Sequence, residues 1–264
     1  MKKIISILIL SLASTTCLFC QNNNTGTVSE TKDGNELFQN MSIKSLMTPT
    51  GWGSTGTYAF GSIGGTFPQP YKDYSDLTGG AGIATGNCEK WVSIAGIFNF
   101  TKVTSFKSYS GSLVVSRRLA QGSSISAGAL YLFTQKNKLD PGPSYYIVFS
   151  HASQNMPSEE YLTSKFCYSI GIGNGRFYDK SPKDIAAGKG VHGTAVFGNV
   201  SYEMFNNINI NAEWTGLNLV FSTAWRPNYK WPAFAAGVAD ITSTSGKPRF
   251  IFSVGYAIML TKNN

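Results

Sequence analysis

Seven side chains combine charge or amide chemistry with a place on the polar side of an alternating run: Arg118, Glu203, Asn209, Asn211, Glu213, Arg226 and Arg249. On neighbouring extended strands such groups can do one of two things. Opposite charges lining a water-filled passage bias it by sign. The same charges paired across a closed interior lock it shut. Spacing and phase do not separate these readings, and both stay open at this point.

Other chemistries find less support. The only histidines are His151 and His192, and no Gly-x-Ser-x-Gly elbow accompanies either. His151 falls where a strand meets a connector, on the phase of Tyr145, Ile147 and Phe149, so a water-facing or interfacial ring is its ordinary explanation. His192 closes a loop rich in Gly and Lys. The run Gly171-Ile172-Gly173-Asn174-Gly175-Arg176 imitates a phosphate-cradling loop, but such a loop must open a helix, and Ile170 and Ile172 continue a strand instead. Arg176 then opens an outer loop. The expectation is no enzyme and no cofactor. Basic residues are dispersed, which argues against nucleic acid as a partner.

The elements that must carry these residues are strands. Asn207, Asn209, Asn211 and Glu213 alternate with Ile208, Ile210, Ala212 and Trp214. Thr215-Gly216 turns the chain into Leu217, Leu219, Phe221, Thr223 and Trp225 against Asn218, Ser222 and Arg226, which predicts a hairpin. The same pattern sets Tyr109, Leu113 and Val115 against Ser108, Ser110, Ser112, Ser116 and Arg118. It recurs with Val196, Val200, Tyr202 and Met204 against Asn199, Ser201 and Glu203. In the last run Phe250, Phe252, Val254, Tyr256, Ile258 and Leu260 oppose Ser253, Gly255 and Ala257. A β-sandwich would need an apolar inner face, and the Ser/Asn/Gly face is too polar for that. An apolar face toward acyl chains and a polar face toward an interior resolve the conflict.

Alternation and turn punctuation place strands at 56–67, 80–87, 90–100, 106–119, 123–134, 143–152, 164–174, 193–204, 207–214, 217–226, 231–241 and 249–261. The fold class expected is all-β: a transmembrane antiparallel up-and-down β-barrel of about twelve strands, closed because free N–H and C=O groups in hydrocarbon are costly. With both termini in the periplasm, the longer connectors 68–79, 135–142, 175–192 and 242–248 all fall on the outer side.

Composition agrees. Only 14% of residues are charged while 13% are aromatic, low charge for a soluble domain of this size. Lys2 and Lys3 precede the apolar run Ile4 to Leu12, so residues 1–20 read as a signal peptide, leaving 21–50 as a polar periplasmic leader and 51–264 as the barrel. Removing two lysines takes the basic count from 22 to 20 against 14 acids, a net change from +8 to +6. Within the leader, Ser42 to Met47 suggests one helical turn. That turn either plugs the lumen or leads into the first strand, the reading the residues favour. Cys88 and Cys167 remain after export, as thiols or as a disulfide. Trp52, Trp91, Trp214, Trp225 and Trp231 read as an interfacial belt.

Certain phrases carry a resemblance: Thr48-Pro49-Thr50-Gly51, Gly86-Asn87-Cys88-Glu89-Lys90-Trp91-Val92, Gly171 to Phe177, Ala212 to Leu219, and Phe250-Ile251-Phe252-Ser253-Val254-Gly255-Tyr256. Through them the chain resembles a broad family of uncharacterised, porin-like Gram-negative outer-membrane β-barrel proteins. Cys88 stands where that family tends to have Pro. The Ala212 to Leu219 hairpin is also similar to one in barrels linked to exopolysaccharide export. The resemblance implies an outer-membrane barrel and carries no activity.

Two functions follow as expectations. The first is a passive or weakly selective small-solute channel, selecting by lumen width and by the sign of its arginines and glutamates. The second is a structural or anchoring barrel with a filled lumen that engages a partner through a loop or the leader. Outer-membrane lipid, lipopolysaccharide and the barrel insertion machinery are the partners either would meet.

Overall fold

The computed structural model describes residues 36–68, 76–100, 109–133, 142–242 and 248–261. Two very short strands, β1 (Phe38–Gln39) and β8 (Thr163–Ser164), pair with each other in parallel. The remaining strands are β2 (Thr57–Phe67), β3 (Asp76–Gly86), β4 (Ser93–Phe100), β5 (Tyr109–Arg118), β6 (Ser123–Leu132) and β7 (Ser144–Ala152). They continue as β9 (Phe166–Gly173), β10 (Val196–Phe205), β11 (Ile208–Trp214), β12 (Leu219–Trp225), β13 (Ala233–Ala239) and β14 (Arg249–Thr261). Each of these twelve pairs antiparallel with its chain neighbour, and β14 closes onto β2 to complete a barrel. The expected strand at 80–87 begins earlier, at Asp76, because its glycine-rich first half pairs with Gly64, Gly65 and Thr66 rather than forming a turn.

Period two decides which side chain faces where. Outward-facing Ile94, Leu113, Ile147, Ile172, Val200, Phe221 and Ile258 are between 44% and 58% exposed. Their inward neighbours are buried and polar, among them Ser93, Ser112, Ser116, Ser150, Asn199, Ser201 and Ser222. This inverts the soluble-domain rule, and it is the pattern read from the sequence.

With an even strand number, residue 57 and residue 261 lie at one end of the barrel. That end also carries connectors 87–92, 119–122, 153–165, 206–207 and 226–232, and we call it the short-turn end. The opposite end carries the connectors 174–195 and 215–218, the first of them one of the expected long connectors, whereas the expected connectors 68–79, 135–142 and 242–248 lie largely outside the described residues. The 174–195 connector is built: a 3-10 turn at Gly175–Phe177 is followed by helix α1 (Pro182–Ala186). Among the described residues no helix is long and apolar enough to cross a membrane.

The interior is where the chain departs from the expected leader. Residues 42–47 form bends and no helical turn, and Ser42, Ile43, Lys44, Ser45 and Leu46 are each no more than 1% exposed. Pro49 removes a donor and restricts Thr48 to extended backbone, which suits a chain that must reverse rather than coil. Residues 38–54 therefore do more than lead into β2: they occupy the lumen. Trp52 goes with them. It is 6% exposed and packs with Ala152 and Cys167, so it does not belong to an outer aromatic belt. Trp91, Trp225 and Trp231 are 75%, 46% and 55% exposed at the short-turn end, while Trp214 is half-buried and donates to Thr194 Oγ1 at 2.9 Å.

Candidate functional site

The inner segment climbs one strand and descends along others. Alternate inward residues of β11 hold the ascending arm, each about 7 Å above the last at the usual strand rise. Asn209 comes first: its amide and that of Asn40 exchange hydrogen bonds of 3.0 and 3.2 Å, and Asn209 Nδ2 also donates to Ser201 Oγ. Asn211 Nδ2 donates to the Ile43 carbonyl at 3.2 Å. Glu213 is the upper anchor. Its Oε1 accepts the Leu46 N–H at 2.6 Å, and its Oε2 accepts the Met47 and Thr48 N–H groups at 2.8 and 2.9 Å. The hydroxyls of Ser45 and Thr48 donate to the same oxygen at 2.5 and 3.2 Å. A carboxylate 1% exposed is thereby matched by three backbone donors and two hydroxyls, the condition for burying such a charge.

Local chemistry bends the segment to fit. Lys44 is 1% exposed, and its Nζ donates to the carbonyls of Asn40 and Ser42 at 2.8 and 2.6 Å and to Asn40 Oδ1, so the ammonium caps a turn of its own chain. At the top, Arg176 from the 3-10 turn donates through Nη2 to the Met47 carbonyl and through Nη1 to Tyr131 Oη, both at 3.0 Å. Ile43 and Leu46 pack against Val220, Ala224, Ala235, Ala239 and Ile251 of β12 to β14.

The descending arm lies against β6 and β7. Ser126 Oγ donates to the Thr50 carbonyl at 2.9 Å, Ser124 Oγ to the Gly51 carbonyl at 2.6 Å, and the Gly51 N–H to Ser150 Oγ at 2.7 Å. Gly51 is required because a Cβ there would stand 2.6 Å from the Ser124 carbonyl oxygen, which is wall backbone. Near the mouth the Ser54 N–H donates to Ser93 Oγ at 3.1 Å, and the Cys88 N–H to the Ser54 carbonyl at 3.1 Å.

The mouth is latched at the short-turn end. Arg118 pairs with Glu89 and lies 4.0 Å from Glu36, and its guanidinium covers the Phe38 ring at 3.5 Å. Gln154 brackets Leu37, accepting its N–H at 2.8 Å and donating to its carbonyl at 2.9 Å. Gly122, with φ 65°, leaves room here, since a Cβ would stand 2.5 Å from the Leu37 carbonyl oxygen.

The seven residues singled out by sequence are thus not one array. Asn209, Asn211 and Glu213 stand together as the ladder under the inner segment. Arg118, Glu203 and Arg226 sit at the short-turn end. Glu203 accepts from Ser158 Oγ and from the Asn207 N–H, and Arg226 donates to the Tyr229 and Trp231 carbonyls. Arg249 pairs with Asp240 at the other end. Arg118 and Arg249 are answered by acids beside them, Glu89 and Asp240, and not by Glu203 or Glu213 across the lumen.

Sequence reasoning missed Lys44 and Arg176. Arg176 does stand at the start of the 174–195 connector, but its side chain, 8% exposed, is turned into the barrel. A signal for Lys44 was present, because residues 38–54 hold no other charge whereas residues 21–37 hold Glu30, Lys32, Asp33 and Glu36. His151 Nδ1 is 2.9 Å from Ser123 Oγ, and His192 stacks on Tyr178 while its Nδ1 lies 3.3 Å from Asp179. Cys88 and Cys167 are both buried thiols, not joined in a disulfide.

Fold and interior together define the class: a closed twelve-strand antiparallel β-barrel whose lumen holds a segment of its own chain. Neither a family model nor a curated protein sequence matches it.

Proposed function

We propose that this chain is an outer-membrane β-barrel of the structural or anchoring kind, with its lumen closed by residues 38–54 and its work done on a partner by the 174–195 connector or the leader. The observation that carries the closed lumen is the Glu213 carboxylate, which takes three consecutive N–H groups of the inner segment inside the barrel, toward the end opposite the mouth. The outward band of Ile, Leu, Val and Phe supports a membrane setting: a soluble protein would hide that much apolar surface, and a closed sheet has no edge to leave unpaired in hydrocarbon.

A small-solute channel would need the inner segment to leave. Planar-bilayer recording of the folded full-length protein decides between them. The anchoring reading expects no openings from the intact chain and openings once residues 38–54 are deleted. Steady conductance from the intact chain would overturn it. Partition of the folded chain into detergent micelles, with no monodisperse species in plain buffer, tests the membrane setting separately.

A further inference from the structure

The contacts of the inner segment fall on β6, β7 and β9 to β14, with Ser93 of β4 and Ser116 and Arg118 of β5 toward the mouth. The neighbouring wall carries a different set: Ser62 on β2, Thr78 on β3, Asn99 on β4, Ser110 on β5 and Ser253 on β14. All five are between 1% and 7% exposed. Each presents a buried oxygen without a hydrogen-bond partner among the described residues: the hydroxyls of Ser62, Thr78, Ser110 and Ser253, and Oδ1 of Asn99.

Register gathers them. Ser62 pairs with Gly80, Gly80 with Asn99, and Asn99 with Ser110, so three of the five share one row across four strands. Gly64 pairs with both Thr78 and Ser253, which puts those two in the adjoining row. At ordinary strand spacing the patch, from β14 to β5, measures about 19 by 7 Å. Glycines at the intervening positions leave it without side-chain bulk. Asn99 Nδ2 donates to Ser112 Oγ at 3.2 Å, which orients the amide with its oxygen as the open acceptor. Toward the short-turn end the same wall becomes apolar, with Phe60, Ala84, Ala95, Ile97 and Val114 packed together.

Buried polar atoms are almost always satisfied, and an orphaned one carries its full desolvation penalty. Five in one patch call for a partner. None of the five is charged, so the partner is neutral. Its chemistry must match four hydroxyls and one acceptor beside an apolar plate. Water meets the first demand but gains nothing from the second, since a buried water needs two to four polar neighbours. A sugar ring or polyol meets both, with hydroxyls at its edge and C–H groups on its face. We propose that this wall binds a neutral polyhydroxylated ligand, its hydroxyls on Ser62, Thr78, Asn99, Ser110 and Ser253 and its apolar face toward Phe60 and Ile97. This site goes beyond the closed-lumen reading and does not depend on it.

Equilibrium dialysis of radiolabelled D-glucose, myo-inositol and maltohexaose against the folded full-length protein in detergent tests the site. Saturable binding of any probe is expected, weakened at least tenfold by the shape-conserving pair Thr78→Val and Ser110→Ala. Preference for maltohexaose over the two monomers would mark the end of a glycan as the source, and the reverse a free solute. Absence of saturable binding, with only water on the row, overturns the proposal. So does binding that the paired variant leaves unchanged. Retained heat-modifiable migration shows that the variant is folded, and Asn99→Leu replaces it should the pair fail to fold.

Discussion

The guanidinium of Arg118 lies 3.5 Å from the centroid of the Phe38 ring, at the point where the inner segment passes into the barrel. The same side chain pairs with Glu89, and both partners are largely shielded from water. A stacked, ion-paired arginine at such a position contributes about 1–2 kcal/mol. Arg118→Ala should loosen the mouth, seen as faster proteolytic cleavage near Phe38 in the folded protein. Arg118→Lys keeps the charge and loses the planar stack, so it should fall between wild type and Ala. Equal cleavage rates in all three would show that the latch does nothing.

Glu213 holds the same segment where it reverses, at Ser45 to Thr48. Glu213→Ala leaves three backbone donors and two hydroxyls without their acceptor, at a cost of about 3 kcal/mol or more. Glu213→Gln keeps one carbonyl oxygen and should sit midway. The urea midpoint followed by tryptophan fluorescence reads the loss, and Trp52 on the segment is a reporter of its release. In bilayers Glu213→Ala should show openings that the intact chain lacks.

The barrel is legible in the sequence because its physics repeats. Each strand obeys period two, so a misjudged end still leaves twelve runs, and alternation alone puts Asn209, Asn211 and Glu213 on the inward face. What the alternation could not show was the ligand of that face. A polar inner wall reads the same whether water or chain lies against it. The inner segment itself has no period, since its residues answer to Asn199, Asn209, Glu213 and Ser126, which lie far away in sequence. Lys44 stands out in the sequence as the one charge of residues 38–54, but its partners, the carbonyls of its own turn, do not. Trp52 departs from the expected belt for a related reason: aromatic identity marks an interface only when the residue lies on an outward phase.

Gly51 tests the fit of the descending arm. In Gly51→Ala the new Cβ would press on the Ser124 carbonyl oxygen at 2.6 Å and the Ser150 nitrogen at 3.1 Å, neither of which can yield without moving a strand. A loss of about 1–3 kcal/mol is expected. Gly96→Ala is the matched control, since nothing lies within 4 Å of a Cβ there, and it should be neutral or stabilising by about 0.5 kcal/mol. Urea midpoints that move together in the two variants would contradict the packing of the arm.

Cys88 and Cys167 are each 2% exposed and not joined in a disulfide. A thiol reagent should therefore leave the folded barrel unlabelled and modify both after denaturation, with no mobility difference between reduced and non-reduced samples. Rapid labelling of Cys167 in the folded state would mean that Trp52 and Ala152 do not cover it.

Glu160, in the 153–165 connector, predicts a pH dependence. Burial raises its carboxyl above the ordinary 4.5 and Glu203 adds to this, while Lys44, a backbone donor at Met41 and Arg226 oppose it. Between the ordinary and the raised value the folded chain holds a proton that the unfolded chain has released. Stability therefore falls as pH rises through that window: the contribution is complete below about 4.5 and gone above the raised value. Unfolding midpoints measured from about pH 4 to pH 7 should decline in wild type by more than in Glu160→Gln, where this proton is absent in both states. Parallel profiles would show that Glu160 is solvated in the fold, and the connector would then not close against the mouth beside Lys44 and Glu203.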